Sequence, residues 1–128
     1  RLRMVTLYQI AGQYKGLVVG TGNKVEDYGV GFYTKYGDGG VDIAPIADLY
    51  KSEVWKLGSY LGVDSRIIEA SPTDGLWEDG RTDEDQLGAS YVDLEEAMEK
   101  GTGPAVDVLE KYNKANRHKM EPIPTFKL

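Results

Sequence analysis

The chain has 128 residues, of which 41% are hydrophobic, so it is long enough for one domain with its own core. Its net charge of −6 disfavours long-range attraction of nucleic acid or anionic lipid. The lack of cysteine excludes disulfides, thiolate nucleophiles and Cys-ligated metals. No apolar run approaches the roughly 18 residues of a membrane span. We therefore expect a cytoplasmic protein that binds neither nucleic acid nor membrane.

The first thirty residues predict a helix, a strand, a loop and a second helix, an order typical of an α/β sheet. Apolar residues at positions 4, 7, 8 and 11 lie on one helical face. Residues 17–19 are a short apolar run, which predicts a buried parallel strand. A turn at residues 20–22 follows, and Asn23 can cap the second helix.

Residues 29–45 predict an irregular loop in which glycines alternate with aromatic residues. Because aromatic rings favour packing partners, this loop is not expected to be a plain linker. Apolar spacing then predicts helices over residues 50–61, 94–101 and 104–119, with Asp48 as the cap of the first and Asp64 as the cap of a short turn. The acidic residues 71–86 predict a long surface loop.

Several of the candidate functional residues also have an ordinary structural explanation. The turn at residues 20–22 can present backbone N–H groups to an anion or simply connect a strand to a helix. Glu26, three residues after Asn23, can complete a capping box or bind Mg²⁺, which requires hard oxygen ligands. Lys51 begins a helix, where a cation opposes the helix dipole, so it either faces an anion or is exposed.

The remaining candidates lie in loops and at the end of the last helix. Lys35 and Asp42 belong to the glycine-rich loop, where they form a charged turn or meet a ligand. Thr73 is a turn residue or a ligand contact in the acidic loop. His118 is the only histidine, so a His-rich metal site within one chain is excluded. It and Lys119 stabilise a helix C-terminus, face solvent or bind a ligand.

The order of these residues resembles the ammonia-dependent NAD synthetase family. Residues 20–27, 31–40 and 42–45 carry the resemblance most clearly, as GTGNKVED, GFYTKYGDGG and DIAP. Shorter matching segments lie at residues 1–4, 71–73, 83–84, 87–88 and 117–119. The similarity covers essentially the whole chain.

The resemblance implies an adenine-nucleotide α-hydrolase fold, which is Rossmann-like, with a parallel sheet and flanking helices. It also implies that residues 1–128 are the C-terminal part of a single domain. The first strands and a Ser-Gly-Gly-x-Asp-Ser phosphate loop would then lie before Arg1. We expect residues 1–128 alone to be inactive and poorly stable.

The same resemblance implies amidation of deamido-NAD to NAD. ATP would adenylate the carboxylate and release pyrophosphate, and ammonia would displace AMP. No side chain is assigned as catalytic. The implied ATP contacts are Thr21, Lys51 and Thr73, and the implied Mg²⁺ ligand is Glu26. The implied deamido-NAD contacts, which would lie across a homodimer interface, are Arg1, Lys35, Asp42, His118 and Lys119. Residues 71–86 would form a lid that protects the adenylate from water.

Three alternatives stay open at this point. An upstream glutaminase domain would supply ammonia from glutamine, although residues 34–40 resemble the ammonia-dependent group more closely. Another ATP pyrophosphatase of the same fold, such as a GMP or asparagine synthetase, is disfavoured by residues 34–42, which resemble the part that binds deamido-NAD. A non-catalytic nucleotide-binding or dimerising module is favoured by the lack of the phosphate loop within the sequence.

Overall fold

The computed structural model describes residues 1–127, and within that range it has six α-helices and one π-helix. In chain order they are α1 (Leu2–Tyr14), the π-helix (Val25–Val30), α2 (Lys51–Tyr60), α3 (Ser65–Ile68), α4 (Asp83–Leu87), α5 (Tyr91–Lys100) and α6 (Val106–Met120). No helix among these residues is both long and apolar enough to cross a membrane.

The core forms where the π-helix, α5 and α6 pack against one another. Val25 and Val30 of the π-helix are fully buried, as are Tyr91 and Leu94 of α5. Tyr91, Leu94 and Ala97 follow one another at a spacing of three residues, which places them on one helical face. The π-helix is a rare element that occurs frequently at functional sites, and here it carries Glu26.

Several predicted helix ends are confirmed. Asn23 caps the π-helix with its side chain, and Asp64 caps α3 by accepting from the backbone N–H of Arg66. Gly101 ends α5 in the left-handed conformation, which glycine adopts without a steric cost. Asp48 does not cap α2, because the helix begins after Tyr50, which is its N-cap; Asp48 instead pairs with Lys24 Nζ at 3.1 Å.

The predicted strand at residues 17–19 is not a strand, and within residues 1–127 the structure has only one parallel bridge, between Val19 and Ile43. The Gly20 N–H donates to the Ile43 carbonyl at 2.7 Å, and the Asp42 N–H donates to the Val18 carbonyl at 2.9 Å. Leu17 and Val19 are 65% and 54% exposed. A parallel strand needs neighbours that extend its ladder, and here one short pairing is formed. The parallel sheet therefore remains a prediction.

The predicted loop at residues 71–86 is also corrected, because α4 begins inside it. Thr82 Oγ1 accepts from the Asp85 N–H at 3.1 Å, and the Thr82 N–H donates to Asp85 Oδ2 at 2.9 Å. These two bonds form a capping box, which stabilises a first turn despite the acidic composition. Residues 71–82 are otherwise irregular and mostly exposed.

Candidate nucleotide site

The turn at residues 23–26 holds Glu26 in a fixed place. Asn23 is buried, and its Oδ1 accepts from the N–H groups of Val25 at 3.0 Å and Glu26 at 3.1 Å. In return, Glu26 Oε2 accepts from the Asn23 N–H at 3.4 Å. This is the predicted capping box, but its second bond is long and therefore weak. The capping contact consequently leaves much of the carboxylate free for other partners.

The other oxygen of Glu26 has two stronger partners from distant parts of the chain. Lys51 Nζ lies 3.0 Å from Glu26 Oε1, and the Tyr91 hydroxyl donates to the same oxygen at 2.8 Å. The side chains of Glu26 and Lys51 are only 18% and 19% exposed. Lys51 Nζ also lies 4.9 Å from the centre of the Tyr91 ring, within cation–π distance. The cation at the start of α2 is thus directed inward rather than into solvent.

Asp83 extends this cluster into the core. It is 7% exposed, and its Oδ2 lies 3.2 Å from the Tyr91 hydroxyl. Its Oδ1 has no hydrogen-bond partner among residues 1–127. Burial raises the pKa of Asp83, and the nearby Tyr91 hydroxyl opposes that rise. Burial and the nearby charges of Glu26 and Asp83 also raise the pKa of Tyr91, so its hydroxyl stays protonated and can donate.

The donor set at Glu26 fits Mg²⁺ held mainly by a nucleotide. Within residues 1–127 no group of three His, Cys, Asp or Glu side chains lies close enough to bind a metal ion by itself. Mg²⁺ at nucleotide sites usually has one or two protein carboxylates and takes its other ligands from water and phosphate. Glu26 Oε2, with its single long contact to the Asn23 N–H, is the oxygen available for this role.

A cleft of about 180 Å³ lies between the turn at residues 20–22 and the glycine-rich loop, and Asp27, the sequence neighbour of Glu26, lines it. Its lining includes Gly20, Gly22 and Asp27 from the first family segment, Tyr33, Asp38 and Gly39 from the glycine-rich loop, and Lys119 from α6. Burial, followed by the charges of Glu26 and Asp38, raises the pKa of Asp27 to about 6. The two sequence segments that carry the family resemblance therefore meet in space.

Three of the predicted substrate contacts lie together at the end of α6. Lys35 Nζ donates to the backbone carbonyl of His118, and Arg1 Nε donates to the backbone carbonyl of Lys35 at 3.2 Å. The side chain of His118 is exposed. The first residue of the chain, the glycine-rich loop and the end of α6 are thereby joined into one surface that carries two cations and an imidazole.

Lys119, the residue after His118, is half-buried and supports the glycine-rich loop. Its Nζ donates to the carbonyls of Gly31 at 2.8 Å and Tyr33 at 2.7 Å, and burial lowers its pKa. Asp42 is tied elsewhere, because it accepts from the Tyr8 hydroxyl at 3.2 Å and from the Val18 N–H at 2.8 Å. Both side chains hold backbone in place, and their predicted contact with a substrate stays a prediction.

The predicted ATP contacts are only partly brought together. Thr21 is exposed and directly follows Gly20 at the edge of the cleft. Thr73 lies in the irregular segment before α4, where its hydroxyl donates to the Arg81 carbonyl at 3.1 Å. Of the predicted ATP and metal residues, Glu26 and Lys51 are the pair that the structure places in direct contact.

A larger groove lies apart from this cluster. It has a volume of about 490 Å³ and is lined by residues of the π-helix, α5 and α6, among them Tyr28, Met98, Asn113 and Arg117. Within residues 1–127, none of the predicted site residues lines this groove. Of the predicted site residues among 1–127, Lys119 is the one that lines the smaller cleft, and Glu26 and Lys51 meet outside both cavities.

Sequence reasoning missed Tyr91, and it noted Asp83 only as part of a matching segment, without a role in the site. They lie 65 and 57 positions after Glu26, so no local spacing connects them to it. One signal was available for Tyr91, which takes a core position of α5 where a leucine or phenylalanine would pack without a polar group. A buried tyrosine requires a hydrogen-bond partner, and this requirement indicates a polar cluster.

Comparison with known proteins identifies the family. The model of the NAD synthase family matches residues 1–124. The NH₃-dependent NAD⁺ synthetase of Carboxydothermus hydrogenoformans is 46% identical over 121 residues, which is 93% of this chain and 49% of that protein. The corresponding protein of Archaeoglobus fulgidus is 55% identical over 104 residues, which is 79% of this chain and 41% of that protein. The chain spans about half the length of these curated relatives.

Solved structures agree with the sequence comparison. An NMN synthetase from Francisella tularensis superposes with a TM-score of 0.87 at 39% identity, covering 99% of this chain and 53% of that one. An NH₃-dependent NAD synthetase from Campylobacter jejuni, solved with nitrate ion, superposes with a TM-score of 0.70 at 28% identity, covering 98% of this chain and 52% of that one. These matches run along nearly the whole of the chain, which belongs to the NAD synthase family.

Proposed function

We propose that this protein forms NAD from deamido-NAD, ATP and ammonia, with Mg²⁺ bound together with ATP. The observation that carries the proposal is the pair of Glu26 and Lys51, held 3.0 Å apart, with Glu26 in the same family segment whose Gly20, Gly22 and Asp27 line a cleft against the glycine-rich loop. The pair offers a carboxylate to a metal and an ammonium to a phosphate. The relatives named as NH₃-dependent NAD⁺ synthetases support the same activity.

The reaction divides into two displacements. A carboxylate oxygen of deamido-NAD bonds to the α-phosphorus of ATP while the bond to the pyrophosphate oxygen breaks. Ammonia nitrogen then bonds to the acyl carbon, AMP leaves with the bonding pair, and one proton is lost to form the amide. Mg²⁺, when bound, would supply positive charge to the phosphate oxygens.

The chain's own residues have separate tasks in this scheme. Lys51 provides a preorganised cation for the negative charge that develops on the phosphates, in a site of low exposure where such interactions are strong. Thr21 at the cleft edge and Thr73 are proposed as further ATP contacts. Arg1, Lys35 and His118 form a surface suited to the phosphates and carboxylate of deamido-NAD, with Lys119 and Asp42 holding the loop that presents it.

The direct test is a change at Glu26 in the protein expressed from its complete gene. Glu26→Gln keeps the shape of the side chain and removes its charge, so we expect pyrophosphate release to fall by at least about 100-fold. Glu99→Gln, at an exposed position on α5, is the matched control. Release at the natural rate by the Glu26→Gln variant would leave Glu26 as a helix cap and refute its role.

The nitrogen donor and the substrate need their own measurement. Ammonium and glutamine should be compared at equal concentration, and ammonium alone is expected to support turnover. The likeness to the Francisella tularensis NMN synthetase favours a second candidate, amidation of a mononucleotide instead of a dinucleotide. Initial rates with deamido-NAD and with nicotinate mononucleotide distinguish the two, and we expect the dinucleotide to be used with the higher kcat/KM.

We also propose that the protein is a cytoplasmic homodimer. Helix α1 contains no buried residue, and its apolar side chains Leu2, Val5, Leu7 and Ile10 are largely exposed. Large exposed apolar patches mark sites of interaction with other proteins. Ile10→Asp should lower the sedimentation coefficient at micromolar concentration, and Gln13→Asp on the same helix serves as the control. An unchanged coefficient for Ile10→Asp would place the interface elsewhere.

A further inference from the structure

The ring of Tyr91 supplies its packing in the core, and a phenylalanine ring would supply the same packing without the hydroxyl. The ring is fully buried between the π-helix, α5 and α6, so its apolar area is already used by the core. The hydroxyl must have a partner there, because an unsatisfied buried hydroxyl is costly. Its nearest acceptor is Glu26 Oε1 at 2.8 Å, and its second acceptor, Asp83 Oδ2, lies at 3.2 Å. One hydroxyl has a single proton, and the shorter distance favours Glu26 as its acceptor.

Helix α5 is fastened at two points that fix this geometry. The Tyr91 N–H donates to Glu84 Oε1 at 2.8 Å, which secures the start of α5. The Ser52 N–H donates to Glu95 Oε1 at 2.9 Å, which joins the middle of α5 to the start of α2. Lys51 is the first residue of α2. Helix α5 therefore carries one partner of Glu26 Oε1, Tyr91, and through Glu95 it also holds the start of α2, which carries the other partner.

From this arrangement we infer that Tyr91 is a positioning residue that holds Glu26 in the orientation needed to bind a divalent cation. The inference rests on the proposed function, in which Glu26 is a metal ligand. Tyr91 and Lys51 both bind Oε1, so Oε2 is the oxygen left to the cation. Groups that orient a metal-binding side chain affect metal affinity strongly even though they do not touch the metal.

The test compares two tyrosine hydroxyls in the protein expressed from its complete gene. Tyr91→Phe removes the bond to Glu26, whereas Tyr112→Phe removes a bond of similar length, 3.0 Å, from the hydroxyl to the Gln86 carbonyl. Tyr112 is half-buried against the same core, which makes it a matched control. The measurement is the Kd of Mn²⁺ in the presence of ATP, followed by electron paramagnetic resonance, with the unfolding temperature recorded for each variant.

We expect Tyr91→Phe to raise the Mn²⁺ Kd by about tenfold. We expect Tyr112→Phe to leave it within about twofold of the natural value. In a background that already carries Glu26→Gln, Tyr91→Phe should cause no further loss, because the residue that it positions is gone. A merely structural role for Tyr91 would weaken binding equally in both backgrounds and would overturn the inference.

The outcomes separate this inference from the proposed function. If Glu26→Gln leaves the Mn²⁺ Kd unchanged, the metal role of Glu26 fails and the inference fails with it. If Glu26→Gln weakens binding but Tyr91→Phe matches Tyr112→Phe, the proposed function stands and only the positioning role fails.

Discussion

Lys51 Nζ lies 3.0 Å from Glu26 Oε1, and the same ammonium lies 4.9 Å from the centre of the Tyr91 ring. A second lysine in the chain reproduces both distances at the surface. Lys24 Nζ lies 3.1 Å from Asp48 Oδ1 and 4.9 Å from the centre of the Tyr50 ring. The two sites differ in exposure, since the Asp48 side chain is 96% exposed and that of Glu26 is 18% exposed.

This pair of sites predicts how ion-pair energy depends on burial. Lys51→Met keeps the length of the stem and leaves the Glu26 carboxylate without its cation in a poorly solvated place. We expect the free energy of unfolding to fall by about 2 kcal/mol, somewhat less than for a fully buried pair. Lys24→Met should change it little, because water and salt screen an exposed pair. Urea denaturation measures both, and equal losses would contradict the expectation.

Loss of the Lys35 side chain should weaken the binding of deamido-NAD more than the binding of ATP. Its ammonium donates to the His118 carbonyl and lies 5.6 Å from the centre of the Tyr36 ring. Lys35→Ala removes a cation from the proposed substrate surface, so we expect the KM for deamido-NAD to rise by about tenfold, as for one lost charged hydrogen bond, while the KM for ATP stays nearly constant. Lys111→Ala is the control, since its ammonium lies 5.7 Å from the centre of the Tyr112 ring on the exposed side of α6. Equal increases in both KM values would contradict the assignment.

The sequence predicted the elements whose signal is local. The apolar spacing of residues 4–11 and 94–98 corresponds to α1 and α5, and Asn23 forms the predicted cap. The two explanations offered for Glu26 also coexist, because its two oxygens have different partners. The capping box did not predict the contact between Lys51 and the other oxygen of Glu26, because these two residues are 25 positions apart in the sequence.

The failures have a common physical origin. A strand at residues 17–19 depends on partners that local periodicity does not reveal, and Val19 has a single parallel bridge to Ile43 among residues 1–127. Helix α4 has only five residues, so its capping box was the one local signal against a strongly acidic background. Tyr91 reaches Glu26 from another helix, through packing that follows from the tertiary fold.

The glycine-rich loop should tolerate no side chain at Gly39. A Cβ there would lie 2.4 Å from the Tyr33 ring, and Tyr33 is the residue whose carbonyl accepts from Lys119. Gly39→Ala must therefore displace the ring or the loop, at a cost of about 1–3 kcal/mol. Gly12→Ala is the control, because that position in α1 has open space and should gain about 0.5–1 kcal/mol. We expect the unfolding temperature to fall for Gly39→Ala and to rise for Gly12→Ala. An unchanged unfolding temperature for Gly39→Ala would show that the loop is loosely packed.

Asp27 gives the protein a specific dependence of stability on pH. Its pKa is raised from 3.8 to about 6, first by burial and then by the charges of Glu26 and Asp38. As the pH rises, the Asp27 carboxyl of the unfolded chain therefore loses its proton near pH 3.8, whereas that of the folded protein keeps its proton up to about pH 6. Below pH 3.8 the group is neutral in both states, and between that value and about pH 6 ionisation increasingly favours the unfolded chain.

Asp27→Asn removes this ionisation and keeps the size of the side chain. In buffer with a metal chelator, we expect the variant to have a higher unfolding temperature than the natural protein above pH 6, with the difference shrinking as the pH falls toward 3.8. Asp107→Asn, at an exposed position in α6, is the matched control for the substitution itself. A difference for Asp27→Asn that grows on acidification would mean that the carboxylate is stabilised in its charged form, opposite to what its burial in the cleft predicts.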